Sequence, residues 1–200
     1  MFLFEREGVE LHVEKSSVRL NSGIESVTIE IPVLVFKSFL FRSFSAGVRT
    51  TYGDAQSSMY IYKSLNSKYE KLWIKITNQN NSGSIYFFRN ELSGLALRLR
   101  ELHNDKEEIN ICQDQIRVTR NNNIVNITDL RNGYSYELYE QEKDILWGTL
   151  LLRLYGVQSD GIFGDLSIQG NILKFPFSAK KKRILNPFSL EDAAKLIAIL

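Results

Sequence analysis

Residues 71–105 read KLWIKITNQNNSGSIYFFRNELSGLALRLRELHND, and this stretch holds both periodicities that set the fold class. KLWIKIT (71–77) alternates apolar and polar residues and is rich in β-branched and aromatic side chains, the pattern of a half-buried strand. NQNNSG (78–83) is a turn, and SIYFFR (84–89) is the returning strand of a hairpin. From Asn90 onward the period changes. Leu92, Leu95, Ala96, Leu99 and Leu102 recur every three or four residues, predicting an amphipathic helix of about three turns with Asn90 as its N-cap. Gly94 weakens that helix by roughly 1 kcal/mol relative to Ala without cancelling the pattern.

Working outward, strands are predicted at 9–13 (VELHV), 27–36 (VTIEIPVLVF) and 59–63 (MYIYK), with a turn at 21–23. The second half repeats the order. Residues 109–113, 115–120, 123–130, 134–140, 144–156 and 171–178 are predicted extended, with turns at 121–123 and 131–133. DILWGTLLLRLYG (144–156) is the ambiguous segment: a long apolar run also suits a helix, with Trp147, Leu151 and Leu154 on one face, but Gly148 interrupts it and favours strand. Ser189 then precedes LEDAAKLIAIL, a closing helix with Glu191 and Asp192 in its first turn, where negative charge complements the dipole. Its expected buried stripe is Leu190, Ala193, Ala194, Ile197 and Leu200 or Ala198.

The expected class is therefore α+β: two successive antiparallel-sheet-plus-C-terminal-helix units, residues 1–104 and 105–200, each able to bury one sheet face on a helix and leave the other open. Two hundred residues with 44% hydrophobic content suffice for a real core. The single cysteine, Cys112, excludes an internal disulfide. No secretory leader and no apolar run of the roughly 18 residues of a membrane span is present, so a soluble intracellular chain with no membrane partner is expected.

The net charge of +2 conceals segregation. Residues 37–100 hold ten basic and three acidic groups, net +7, and residues 174–200 hold six and two, net +4; residues 1–36 are net −3 and 101–173 net −6. Brought together, two basic segments attract a polyanion. Rings sit among these cations. Tyr60 and Tyr62 share one face of MYIYK, while Lys71, Trp73 and Lys75 share one face of KLWIKIT. SIYFFR adds either Tyr86 with Phe88 or Phe87 with Arg89. Flat rings that stack on unpaired bases, beside cations that neutralise phosphates, are the chemistry of single-stranded nucleic-acid binding. A second basic element, AKKKR, places Lys180, Lys181, Lys182 and Arg183 consecutively before the closing helix.

The stretch NILKFPFSAKKKRILNPFSLEDAAKLIAIL, a strand, a basic loop and a Ser-Leu start to an apolar helix, resembles the end of the β-β-β-β-α unit of the whirly and positive-cofactor-type single-stranded-DNA-binding families. The resemblance covers about thirty residues directly and both halves by element order. It implies a DNA path over open sheet faces, with Lys180, Lys181, Lys182 and Arg183 as the loop contacts.

Enzyme signatures are weaker. The phosphate-loop, dinucleotide and nucleophile-elbow motifs are absent from the sequence, and His12 and His103 lie far apart for a zinc site. Glu137, Glu140, Glu142 and Asp144 around Lys143 offer a faint metal-dependent nuclease pattern, which a solvated turn also explains. The expectation is a non-catalytic binder without cofactor or metal. Its contacts are Tyr60, Tyr62, Lys71, Trp73, Lys75, Arg89, Lys180, Lys181, Lys182 and Arg183. The rival is an assembly protein, such as a viral one, whose aromatic sheet faces make homo-oligomeric contacts.

Overall fold

The computed structural model describes residues 1–64, 70–176 and 183–200, and divides the chain into two units, Met1–His103 and Asn104–Leu200. In unit 1, β1 (Phe2–Arg6), β2 (Val9–Val13), β3 (Ser17–Ser22) and β4 (Glu25–Glu30) pair in chain order as an antiparallel meander, followed by α1 (Val33–Ala46). The order then recurs: β5 (Thr50–Gly53), β6 (Ser57–Lys63), β7 (Lys71–Asn78) and β8 (Ser82–Phe88) form a second meander, followed by one 3-10 turn, Arg89–Glu91, and α2 (Leu92–Arg100).

Unit 2 repeats the plan with β9 (Lys106–Ile111), β10 (Ile116–Asn121), β11 (Ile124–Asp129), β12 (Ser135–Leu138) and α3 (Glu140–Leu154). It continues with β13 (Gly161–Phe163), β14 (Leu166–Gln169), β15 (Ile172–Pro176), β16 (Arg183–Pro187) and α4 (Leu190–Ile199). The α+β class holds, and each unit contains the β-β-β-β-α order twice.

Two segments predicted as strand are helix. The predicted strand 27–36 stops at Glu30, because Pro32 occupies the N-cap of α1 with φ −57° and ψ 135°. Val33, Phe36, Lys37, Leu40, Phe41 and Phe44 then bury a helical stripe that runs to Gly47, whose φ of 65° supplies the left-handed C-terminal cap. Residues 144–156 belong mostly to α3, where Leu146, Trp147, Leu150 and Leu154 are buried and the Glu142 carboxylate accepts the Tyr139 backbone N–H at 2.9 Å. A Cβ at Gly148 would meet nothing within 4 Å, so this glycine lies on an open helix face and costs only propensity.

The two helices predicted correctly differ in detail. At α2, Leu92, Leu95, Ala96 and Leu99 are buried, but Asn90 is not the cap: the Glu91 carboxylate accepts the Phe88 N–H at 2.8 Å across the 3-10 turn. At α4, Ser189 Oγ accepts the Asp192 N–H while Asp192 accepts the Ser189 N–H, a reciprocal capping box. Leu190 is exposed there rather than buried.

Buried cations close two helix C-termini. Lys37, 1% exposed, donates to the carbonyls of Leu99 in the last turn of α2 and of Leu102 just beyond it, and Arg120 donates to those of Ile199 and Leu200 at the end of α4. In unit 2 the fully buried Asp129 takes two bonds from the Arg131 guanidinium, which also donates to Asn186 of β16 at 2.7 Å. Burial pushes the Asp129 carboxyl up, but Arg131 and its backbone N–H outweigh that and hold it below the ordinary 3.8. A depressed carboxyl stabilises the fold above its ordinary value and stops doing so as pH falls through its folded value. Urea titration of Asp129→Asn should therefore show a loss of about 2 kcal/mol at pH 7, with the gap to the parent closing below pH 3.8.

Among the described residues no helix is long and apolar enough to cross a membrane. The buried Cys112 thiol is pushed up to about 12, chiefly by desolvation and then by Asp192, so it stays protonated and unreactive near neutrality.

Candidate nucleic-acid interface

The β5–β8 sheet hides Met59, Ile61, Leu72, Ile74, Ile76, Ile85 and Phe87. Strand alternation therefore turns the remaining parity outward. Register then joins residues that the sequence separates: Tyr62 lies opposite Trp73, and Trp73 opposite Tyr86, giving one row across β6, β7 and β8. Tyr60 lies opposite Lys75, and Lys71 opposite Phe88. All seven share the outer face. Lys75 is exposed and the others are half-buried. The alternative left open for SIYFFR resolves to Tyr86 and Phe88 outward, with Phe87 fully buried.

Cations lie on rings at both ends of this face. At one end the Lys71 ammonium is 4.1 Å from the Tyr86 centroid, and the Arg6 guanidinium is 5.0 Å from Tyr86 and 4.8 Å from Phe88. The Tyr86 hydroxyl donates to Glu7 at 2.7 Å, and Arg6 is paired with Glu91. Trp73 meets Tyr86 at 4.8 Å between centroids with a tilt of 43°. At the other end the Arg49 guanidinium lies 4.5 Å from the Tyr60 centroid. Each exposed cation–ring contact contributes about 0.5–1 kcal/mol and holds a flexible side chain in place.

Beyond Tyr60 the face opens into a cleft of about 690 Å³, lined by Arg49, Lys63 and Lys75, by Tyr60 and Tyr62, and by Asp54. The backbone N–H groups of Ser57 and Gln56 both donate to Asp54 and hold its carboxyl below the usual range, fixing it as an anion on the cleft wall. The Lys63 ammonium lies 5.4 Å from the Phe44 centroid and 3.8 Å from Glu70.

Five predicted contacts, Tyr60, Tyr62, Lys71, Trp73 and Lys75, thus share one face. Arg89 does not join it: the residue follows β8 in the 3-10 turn, pairs with Glu70 at 2.8 Å and lies over Phe44 of α1 at 5.5 Å. Lys180, Lys181 and Lys182 lie outside the described residues, and of Arg183 only the backbone, at the start of β16, is described. Arg6, Arg49 and Tyr86 complete the face, the two arginines drawn from segments without a predicted strand, and Lys63 reaches the cleft from the end of β6. Arg49 and Thr51 share parity beside β6, a weak period-two signal in VRTTYG that short length obscured.

Among the described residues of unit 2 no equivalent ring row is present. One register row of β13–β16 is Ile162, Ser167, Lys174 and Leu185, with Ser167 buried, and an outer row of β9–β12 is Glu108, Thr119, Asn126 and Glu137. Neither row carries a ring. Of the carboxylates considered for a nuclease, Glu142 takes the Tyr136 hydroxyl and the Tyr139 N–H, Glu140 pairs with Lys143, which also donates to the Asn123 carbonyl, and Glu137 lies in β12. Among the described residues no group of three or more His, Cys, Asp or Glu is arranged to hold a metal ion. Comparison of the chain with protein-family models, with curated proteins and with solved structures gives no match.

Proposed function

We propose that unit 1 binds single-stranded nucleic acid across the outer face of β5–β8, without sequence preference. The observation that carries this reading is the directly opposed Tyr62–Trp73 pair, set between cation-on-ring clusters at Tyr60 and at Tyr86. Neighbouring strands are about 4.8 Å apart, so Tyr62 and Trp73 sit at a spacing on which successive unpaired bases can stack, each for about 1–3 kcal/mol. Lys71 and Lys75 flank the pair on the same strand as Trp73 and reach the phosphates. A duplex keeps its bases paired inside and cannot offer them to a sheet, so single strands are preferred.

Fluorescence anisotropy of a labelled oligonucleotide tests it. Two phosphate contacts, at Lys71 and Lys75, give a slope of log affinity against log salt of about −1.4 for a single strand, and the matching duplex should bind more weakly. No binding of any single strand at low salt overturns the proposal. Subunit assembly is the second reading, favoured by Ile162 and Leu185, 70% and 57% exposed at the two ends of the β13–β16 row. A light-scattering mass that grows with protein concentration would support it.

A further inference from the structure

The cleft beyond Tyr60 does more than extend the ring row. β5 is the edge strand of its sheet and none of its residues pairs with Tyr62, so the ring row ends at β6 and the cleft lies beyond it. Among the described residues, three cations, Arg49, Lys63 and Lys75, and one carboxylate, Asp54, line it, a net +2. Glu70 approaches Lys63 from outside the cleft at 3.8 Å but is matched by Arg89 at 2.8 Å, so it does not cancel that charge. An internal phosphodiester carries a single negative charge. A phosphomonoester carries about −1.5 to −2 at neutral pH and three acceptor oxygens.

Arg49 is held against Tyr60, so its planar fork of N–H donors is oriented before any ligand arrives. The net +2, with the fixed Asp54 carboxylate already counted, is neutralised by one phosphomonoester, so a second phosphate meets no remaining positive charge and a strand continuing past this point is disfavoured.

We infer that this cleft takes the terminal phosphomonoester of a nucleic-acid strand whose adjoining bases lie on Trp73 and Tyr62. The inference rests on the single-strand reading of the ring face and adds to it an end preference: the monoester is held by Arg49, Lys63 and Lys75, and the chain leaves in one direction only, over the rings.

The test is an anisotropy titration of the full chain with three versions of one labelled oligonucleotide carrying an internal dye: a 5′-phosphate, a 3′-phosphate and neither. One phosphorylated end should bind about tenfold tighter than the unphosphorylated strand, the range of one to two charge-assisted hydrogen bonds, and which end gains assigns the polarity. In Arg49→Gln the ratio between the two strands should fall to near one, whatever the common affinity becomes. Equal affinities for all three strands overturn the end preference and leave the ring face standing. An equal gain from either end also overturns it, because added charge alone does that, and so does a ratio that persists in Arg49→Gln. Absence of binding by every strand removes the ring-face reading as well, so the two failures are told apart.

Discussion

Trp73→Ala should weaken binding of an unphosphorylated single strand by about 10- to 100-fold at constant salt, the equivalent of one lost base stack at 1–3 kcal/mol. Trp73 is half-buried on the outer face, between Tyr62 and Tyr86, while the core side of β7 is made by Leu72, Ile74 and Ile76. The substitution therefore removes ring surface from the interface and leaves the core side chains untouched. Two readouts separate stacking from general weakening. The salt slope should stay unchanged, since no cation is removed, and Trp73→Phe should restore most of the affinity. A slope that flattens with Trp73→Ala would mean that the ring acts only by positioning Lys71 and Lys75.

The second large effect is on stability. Phe36→Ala should destabilise unit 1 by about 3–5 kcal/mol, the cost of emptying a fully buried aromatic site. Phe36 lies on the α1 stripe with Leu40 and Phe44, and α1 packs on β5 and β6, the strands that present Tyr60 and Tyr62. The chain has two tryptophans, Trp73 in unit 1 and Trp147 in unit 2, so urea unfolding followed by emission in a Trp147→Phe background reports unit 1 alone. A loss below about 1 kcal/mol would show that residues 33–46 do not bury this stripe.

The Phe36 result also bears on how far the fold can be read from residues alone. VTIEIPVLVF looks like one apolar run, and such runs do not by themselves distinguish a buried strand from a helix. The discriminating signals lie at its flanks. Pro32 cannot continue a ladder but opens a helix, and the spacing continues through Leu40, Phe41 and Phe44 to Gly47. The same ambiguity at 144–156 is decided by Glu142 at the first turn of α3, while Gly148, which argued for strand, faces open space. In contrast, the long amphipathic pattern at Leu92–Leu99 and the capping signal at Ser189 lead directly to α2 and α4.

For the candidate site, the alternation in MYIYK and KLWIKIT identifies which rings and cations share a strand face, because period two depends only on local backbone geometry. It does not set register. That Tyr62 meets Trp73, and Trp73 meets Tyr86, depends on how three strands pair, and Arg6 and Arg49 arrive from segments far from β7. Lys63 shows the limit of parity: it shares strand parity with the buried Met59 and Ile61, but at the strand end its long side chain reaches the cleft.

The most direct measurement of the central claim is the emission of Trp73 itself in the Trp147→Phe chain, titrated with an unlabelled single-stranded oligonucleotide at low salt. Stacking of bases on this ring predicts saturable quenching that is reversed by added salt and is much smaller with the corresponding duplex. Emission that stays constant while the oligonucleotide reaches high micromolar concentration would contradict the account.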